Sequence, residues 1–377
     1  MAAEKKCPAV IVLEDGTVYR GTAFAGQGQA CGEVVFNTAM AGYQEVLTDP
    51  SYKEQILVMT FPLIGSYGIN DQDIESGAIH LEGFVVREYQ ERPSNFRSTR
   101  TLARYLDDHG KIGIEGIDTR ALTRRIRTQG AMRAIIAAGP VSLDELKARL
   151  DAYPGLVGRD IVQTVAGRAI SLWQDGAHVT AFRVSARGDR LRVAVFDCGA
   201  KHTIFRNLEQ LGCEVVVVPS RFGPDDIMSL EPDGVLLSNG PGDPAPLKRE
   251  VETVRALLGR VPVFGICLGH QLLAQAVGAK TAKLKFGHHG VNQPVKNMLS
   301  GRVEITSQNH GFYVLRDTLP DGAFVTHVNL NDDTLEGIRY PSRMAFSVQY
   351  HPEAAPGPHD SQYLFEDFVR LMRSRTM

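Results

Sequence analysis

The chain has 377 residues, room for two to three domains at about 150 residues each. It is 43% hydrophobic and 22% charged with a formal net charge of −2, a balance that disfavours a protein held to nucleic acid by phosphate contacts. The first apolar run, residues 9–13, closes at Glu14 and Asp15, and eighteen consecutive apolar residues occur nowhere, so neither a signal peptide nor a membrane span is expected. The five cysteines, Cys7, Cys31, Cys198, Cys213 and Cys267, form no CxxC pair and no zinc-type cluster with histidine, which points away from a disulfide framework and towards a reducing, cytoplasmic compartment. Glycine, 37 residues or about 10% against a usual value of about 7%, signals tight turns and close backbone approaches.

In chain order, residues 1 to about 70 alternate short apolar runs (9–13, 34–36, 55–60) with Gly, Asp and Pro, which predicts short strands and hairpins. From about Thr99 the period lengthens: Leu102, Tyr105 and Leu106, then Ala121, Leu122 and Ile126, predict amphipathic helices. The run Arg124-Arg125-Ile126-Arg127 reads as a solvated or salt-bridged helix face. Ser142 followed by Glu145 is a helix start of the capping-box type. Residues 1–150 are therefore expected to form a mixed α+β domain. Residues 151–190, with scattered glycines and a charged turn at 186–190, are expected to be a linker, and residues 191–377 a second domain.

That second half alternates cleanly. Apolar runs at 193–196, 215–218, 235–237 and 261–266 are separated by helical stretches at 203–211 and 250–258, the pattern of parallel strands buried on both faces in a doubly wound, mostly parallel α/β sheet. Ligands of such sheets gather at the carboxyl ends of the strands, which is where chemistry should be sought.

Three segments stand there. Gly265-Ile266-Cys267-Leu268-Gly269-His270-Gln271 places a thiol between two glycines at a strand-to-helix junction, the layout of a nucleophile elbow, where a helix N-terminus and a nearby imidazole would favour the thiolate. The competing reading, a buried structural cysteine, explains neither glycine. Downstream, His351-Pro352-Glu353 follows a strand-like run at 344–349 and offers an imidazole with a carboxylate to orient it, the remaining members of a Cys/His/acid triad. The third segment, Ser238-Asn239-Gly240-Pro241-Gly242-Asp243-Pro244, could turn backbone N–H groups towards an oxyanion. No GxxxxGK[ST] loop for a nucleotide phosphate occurs. The adjacent His288 and His289 have no acidic or cysteine partner at ligand spacing, so no metal site is expected.

Gly240-Pro241-Gly242-Asp243-Pro244, Phe264 to Gln271 and the late His351-Pro352-Glu353, in this order, resemble the glutaminase domain of the class I, triad-type glutamine amidotransferases over residues 191–377. A second resemblance runs nearly end to end. Gly42-Tyr43-Gln44-Glu45, Leu47-Thr48-Asp49-Pro50-Ser51-Tyr52, Phe286-Gly287-His288-His289-Gly290 and Gln308-Asn309-His310-Gly311-Phe312 are similar to segments of the small subunit of carbamoyl-phosphate synthetases.

The resemblance implies hydrolysis of glutamine to glutamate and ammonia with Cys267 as nucleophile, His351 as acid and base, and Glu353 orienting the imidazole. It implies an oxyanion held by the N–H groups of Leu268 and Gly242. Glutamine would be bound by Ser51, Gly240, Gly242, Leu268, Gln271, Asn309, Gly311 and Phe312, with Ser51 supplied by the other domain. It further implies a separate large-subunit partner in a hetero-oligomer that receives ammonia through a tunnel and itself uses ATP and Mg to make carbamoyl phosphate from bicarbonate, for arginine and pyrimidine biosynthesis. No cofactor is expected in this chain. The 24 residues after Glu353 read mostly as one amphipathic helix, with no space for a synthetase. A glutaminase serving another synthase, such as one making anthranilate or a purine nucleotide, remains the alternative of the same class. A scaffold without catalysis would be expected to lack the thiol or the histidine, and both are present.

Overall fold

The computed structural model describes residues 7–180 and 190–376. The chain divides into two compact units, Met1–Val157 with Lys285–Gly290, and Gly158–Leu284 with Val291–Met377. Of the charged turn at 186–190, all but Arg190 lies outside the described residues.

The first unit is built on a closed barrel. Its elements in chain order are β1 (Cys7–Leu13), β2 (Val18–Ala25), β3 (Gly28–Asn37), α1 (Tyr43–Thr48), β4 (Gln55–Met59), β5 (Leu63–Ile64), β6 (Gly83–Val85), β7 (Glu88–Tyr89), α2 (Leu102–Asp108), β8 (Ile112–Glu115), α3 (Thr119–Gln129), β9 (Met132–Ala138) and α4 (Leu143–Ala152). The barrel order is β1-β2-β8-β6-β4-β3-β9, while β5 and β7 pair in a small separate ribbon. The apolar run in β1 is continuous because both faces are covered: Ala9, Ile11 and Leu13 pack in one cluster with Leu122 and Ile126 of α3, and Val10 and Val12 in another with Leu146 and Leu150 of α4.

The predicted helices are present at α2, α3 and α4. Ser142 occupies the N-cap of α4 but makes no side-chain capping bond. In α3, Asp118 caps the N–H of Ala121 at 2.9 Å, Arg125 pairs with Asp15 at 2.6 Å, and Arg124 and Arg127 are exposed, so the arginine run is a solvated helix face. The Gly42-Tyr43-Gln44-Glu45 segment acts structurally. The Tyr43 ring stacks on Tyr67 at 4.1 Å, its hydroxyl donates to Gly68 O at 2.7 Å, and the Gln44 amide is hydrogen-bonded in both directions to the Asn70 backbone.

The second unit holds β10 (Ser171–Gln174), β11 (Ala177–Val179), β12 (Arg192–Asp197), α5 (His202–Gln210), β13 (Glu214–Pro219), α6 (Pro224–Met228), β14 (Gly234–Leu237), α7 (Lys248–Leu257), β15 (Val263–Ile266), α8 (Leu268–Ala276), β16 (Thr281–Asn297), β17 (Val303–Val314), β18 (Phe324–Asn329), β19 (Leu335–Tyr340), β20 (Ala345–Val348) and α9 (Tyr363–Thr376). Of β16, residues Lys285–Gly290 belong to the first unit. The sheet has eleven strands in the order β11-β10-β13-β12-β14-β15-β20-β19-β18-β16-β17. Its centre, β13-β12-β14-β15-β20, is parallel throughout, as the buried apolar runs predict.

Both flanks differ from a purely parallel sheet. The antiparallel β10 and β11 extend one edge, with β10 paired to β13, and β19, β18 and β16 continue antiparallel beyond β20. Part of the stretch 151–190, expected to be a linker, is thus sheet of the second unit. Helices cover both faces. α6, α7 and α8 pack through Ile227, Val254 and Leu272 on one side, and α5 and α9 through Phe205, Phe365 and Phe368 on the other. Fully burying each such side chain stabilises the fold by about 1.5–3 kcal/mol. Because β12 has β13 on one side and β14 on the other, the strand order reverses there, and the crevice at the carboxyl ends of β12 and β14 is the expected ligand position.

Candidate active site

Four neighbouring parallel strands, β12, β14, β15 and β20, deliver their following residues to this end of the sheet. After β15 comes Cys267, at φ 54° and ψ −104°, a conformation that strains an L-residue and is over-determined by its surroundings. The flanking glycines make the turn possible. A Cβ on Gly265 would lie 2.6 Å from Gly269 O, and one on Gly269 would lie 2.2 Å from Leu237 O. The Cys267 N–H donates to Val348 O at 2.9 Å, tying the elbow to the end of β20. Its buried sulfur lies 3.7 Å from the Asn309 carbonyl and 3.8 Å from the Gln349 amide nitrogen.

Three residues beyond β20, His351 is held from both ends. Its N–H donates to Ser307 O at 2.9 Å, and its Nδ1 lies 2.6 Å from Glu353 Oε1. The other ring nitrogen, Nε2, is buried without a hydrogen bond of ordinary geometry and lies beside the Cys267 sulfur, whose charge and contact strengthen its hold on a proton. Burial alone would depress the imidazole, but the Glu353 carboxylate and Cys267 outweigh it and raise His351 to about 10. Burial would likewise raise Glu353, and here the Lys201 ammonium and His351 win, lowering it to about 2. Lys201 reaches Glu353 Oε1 at 2.9 Å, and both side chains are buried. The site therefore holds an ordered row, Lys201–Glu353–His351–Cys267, with the imidazole protonated at neutral pH.

The loop after β14 packs against the elbow. Ser238 O accepts the Gly269 N–H at 3.0 Å, and a Cβ on Gly240 would come 2.4 Å from Cys198 O and 2.7 Å from Leu268 Cδ2. Gly242 has φ +84°, and a Cβ there would meet Ile161 at 2.7 Å, so both glycines are required by close approach. Asp243 turns away from the elbow to accept from the Gly158 and Ala245 N–H groups, at 2.9 and 2.8 Å. As the first residue of α8, Leu268 carries an N–H that no helical carbonyl takes.

Gln271, one turn on, spends its amide donors on Phe312 O at 2.8 Å and Gln349 Oε1 at 3.1 Å, fixing β17 beside α8. On β17 stand Asn309, Gly311 and Phe312, and a Cβ at Gly311 would meet open space. Ser51 belongs to the first unit, in a single helical turn at Pro50–Tyr52, where its N–H donates to Asp49 Oδ1 at 2.9 Å. The other predicted residues all belong to the second unit.

Sequence reasoning missed Lys201 and Gln349. A signal for Lys201 was present, since it follows Gly199 just beyond the carboxyl end of an apolar strand run. Lysine type alone points to the surface, and only a buried carboxylate partner explains why this one is inside.

Comparison with known proteins gives the family. Residues 11–136 match the family described as carbamoyl-phosphate synthase small chain, CPSase domain, and residues 194–371 match glutamine amidotransferase class-I. Proteins named carbamoyl phosphate synthase small chain from Syntrophotalea carbinolica and Rhodopirellula baltica are 52% and 53% identical to this chain, each alignment covering 97% of both sequences. The chain belongs to the carbamoyl-phosphate synthase small-chain family. A further member, from Chlorobaculum tepidum, is 52% identical over 98% of each chain. The second unit is accordingly the class I glutamine amidotransferase domain of a glutamine-hydrolysing carbamoyl-phosphate synthase, a ligase. The first unit contains the segment particular to the small chain, which excludes the alternative of a glutaminase from another synthase.

Proposed function

We propose that Cys267, His351 and Glu353 carry out glutamine hydrolysis in this chain, and that the ammonia is used by a separate large subunit. The supporting observation is the buried row from Glu353 through His351 to a thiol on a strained elbow. The Cys267 thiolate attacks the side-chain amide carbon of glutamine, and the oxyanion is met by N–H groups of Leu268 and Gly242. His351 gives its proton to the nitrogen as the C–N bond breaks and ammonia leaves. The neutral imidazole then takes a proton from water, whose oxygen attacks the thioester. Glutamate departs and the thiolate and imidazolium are restored. Glu353, fixed by Lys201, keeps the ring oriented and its charge balanced through both steps.

Gly240, Gln271, Asn309, Gly311, Phe312 and Ser51 complete the glutamine site in this reading. No cofactor takes part in this chain; ATP and Mg are used by the large subunit, to which ammonia is channelled, and the product feeds arginine and pyrimidine biosynthesis. The assembly is a cytoplasmic hetero-oligomer that engages neither nucleic acid nor membrane. All five cysteines are free thiols, in keeping with a reducing compartment; among the described residues no helix is long and apolar enough to cross a membrane.

The test is Cys267→Ser assayed with the large subunit. Glutamine-dependent synthesis of carbamoyl phosphate should fall by at least about 10³-fold, while synthesis from added ammonia persists. Glutamine use at the normal rate would reject the assignment.

A further inference from the structure

Away from the thiol, a cavity of about 550 Å³ opens between α9 and the strands β18, β19 and β20. This is the size range of small-molecule sites. Its walls are apolar, with Met344 and Phe346 from the β20 side and Leu364 and Leu371 from α9.

Its floor is polar but already satisfied. The Tyr363 hydroxyl accepts from Asn297 Nδ2 at 2.8 Å and donates to Glu304 Oε1 at 2.8 Å, and His327 Nδ1 lies 2.9 Å from Thr326 Oγ1. Burial pushes His327 down to about 4, against the pull of Glu304, so this imidazole is neutral at pH 7. The buried Glu304 carboxylate behind Tyr363 is itself hydrogen-bonded by Tyr363, Asn297 and Ser361, so a buried ligand atom would find no unmet donor or acceptor at the floor. Apolar matter is what fits there.

The mouth differs. Arg339 is exposed, lines the cavity and has no ion-pair partner among the described residues, whereas Arg370 on the opposite wall is engaged by Glu366 and Asp367 of its own helix. Asp367, which also lines the cavity, is taken up by Arg370, so one free guanidinium above an apolar pocket matches a ligand with an apolar body and a single anionic head.

We propose that this cavity is a binding site for a small amphipathic anion, an aromatic or aliphatic body with one carboxylate, sulfonate or phosphate group that Arg339 holds at the mouth. The site is independent of the glutaminase reading, since none of the residues assigned to glutamine hydrolysis lines it.

The probe is 8-anilinonaphthalene-1-sulfonate, titrated into the folded full chain by fluorescence, with uncharged N-phenyl-1-naphthylamine as control. The expected result is saturable binding at one site per chain. Arg339→Ala should weaken the sulfonate about tenfold, as the loss of one charge-assisted contact implies, and leave the uncharged probe unchanged. Leu371→Trp, which fills the cavity, should abolish both. Unaltered sulfonate affinity in Arg339→Ala, or one-site binding that survives in Leu371→Trp, would overturn the proposal. So would loss of the site when the large subunit is added, because the cavity would then be a docking surface for a polypeptide.

Discussion

At the scale of single residues, charge inside the protein decides the chemistry. His351 and Glu353 are stabilised in their charged forms by each other, by Lys201 and by Cys267, and this links stability to pH with opposite signs. His351, raised from 6.5 to about 10, contributes stability that is complete below about 6.5 and is lost as pH rises through 10. Glu353, lowered from 4.5 to about 2, contributes stability that is complete above about 4.5 and is lost as pH falls through 2. Denaturation midpoints of the wild type and of His351→Asn should therefore differ most between about pH 4.5 and 6.5 and converge towards pH 10. Lys201→Met leaves Glu353 with His351 as its remaining cation, so its cost should fall near the lower end of the about 3–5 kcal/mol typical of a broken buried pair; chemical denaturation at pH 7 measures it. Cys267 and the motif around His351 were legible in the sequence because glycine spacing and proline leave few conformations open. Lys201 was not, because its role depends on a partner 152 residues away that only the fold brings near.

At the scale of elements, the elbow is the strained piece. Cys267→Gly relieves its positive φ, whereas Cys267→Ala retains it, so the glycine variant should be the more stable of the two by about 1–3 kcal/mol. Thermal unfolding of the two variants compares them directly. Gly269→Ala should do the reverse, because its Cβ would meet backbone at Leu237 O, and overpacking of this kind costs about 1–3 kcal/mol; a Tm equal to the wild type's would show that the β14 loop can withdraw freely. The parallel strands β12 to β15 were legible as continuous apolar runs. The antiparallel flanks were harder to read, since β16 and β17 carry many polar residues on partly covered faces, and β10 and β11 are too short to impose a period.

At the scale of the whole molecule, the order of folding units does not follow the order of the chain. Residues Lys285–Gly290 of β16 belong to the first unit, where Phe286 stacks on Phe36 at 6.0 Å and Lys285 O accepts the Ala131 N–H at 2.7 Å. A division into two halves was visible from the change of hydrophobic pattern; this return was not, because no local signal marks a segment whose partners lie more than 150 residues earlier. The fragment 1–157 should accordingly lose protection at the Ala131 amide relative to the full chain, read by hydrogen exchange. The single tryptophan, Trp173, is buried in the second unit, so its fluorescence follows that unit alone during unfolding.

The most direct test of the catalytic assignment is mass spectrometry of the enzyme quenched in acid during glutamine turnover. The account predicts a γ-glutamyl group in thioester linkage on the peptide carrying Cys267, absent in Cys267→Ser and diminished in His351→Asn, which lacks the acid that releases ammonia. Glutamine turnover that persists in Cys267→Ser, or an acyl group found on another cysteine, would contradict it.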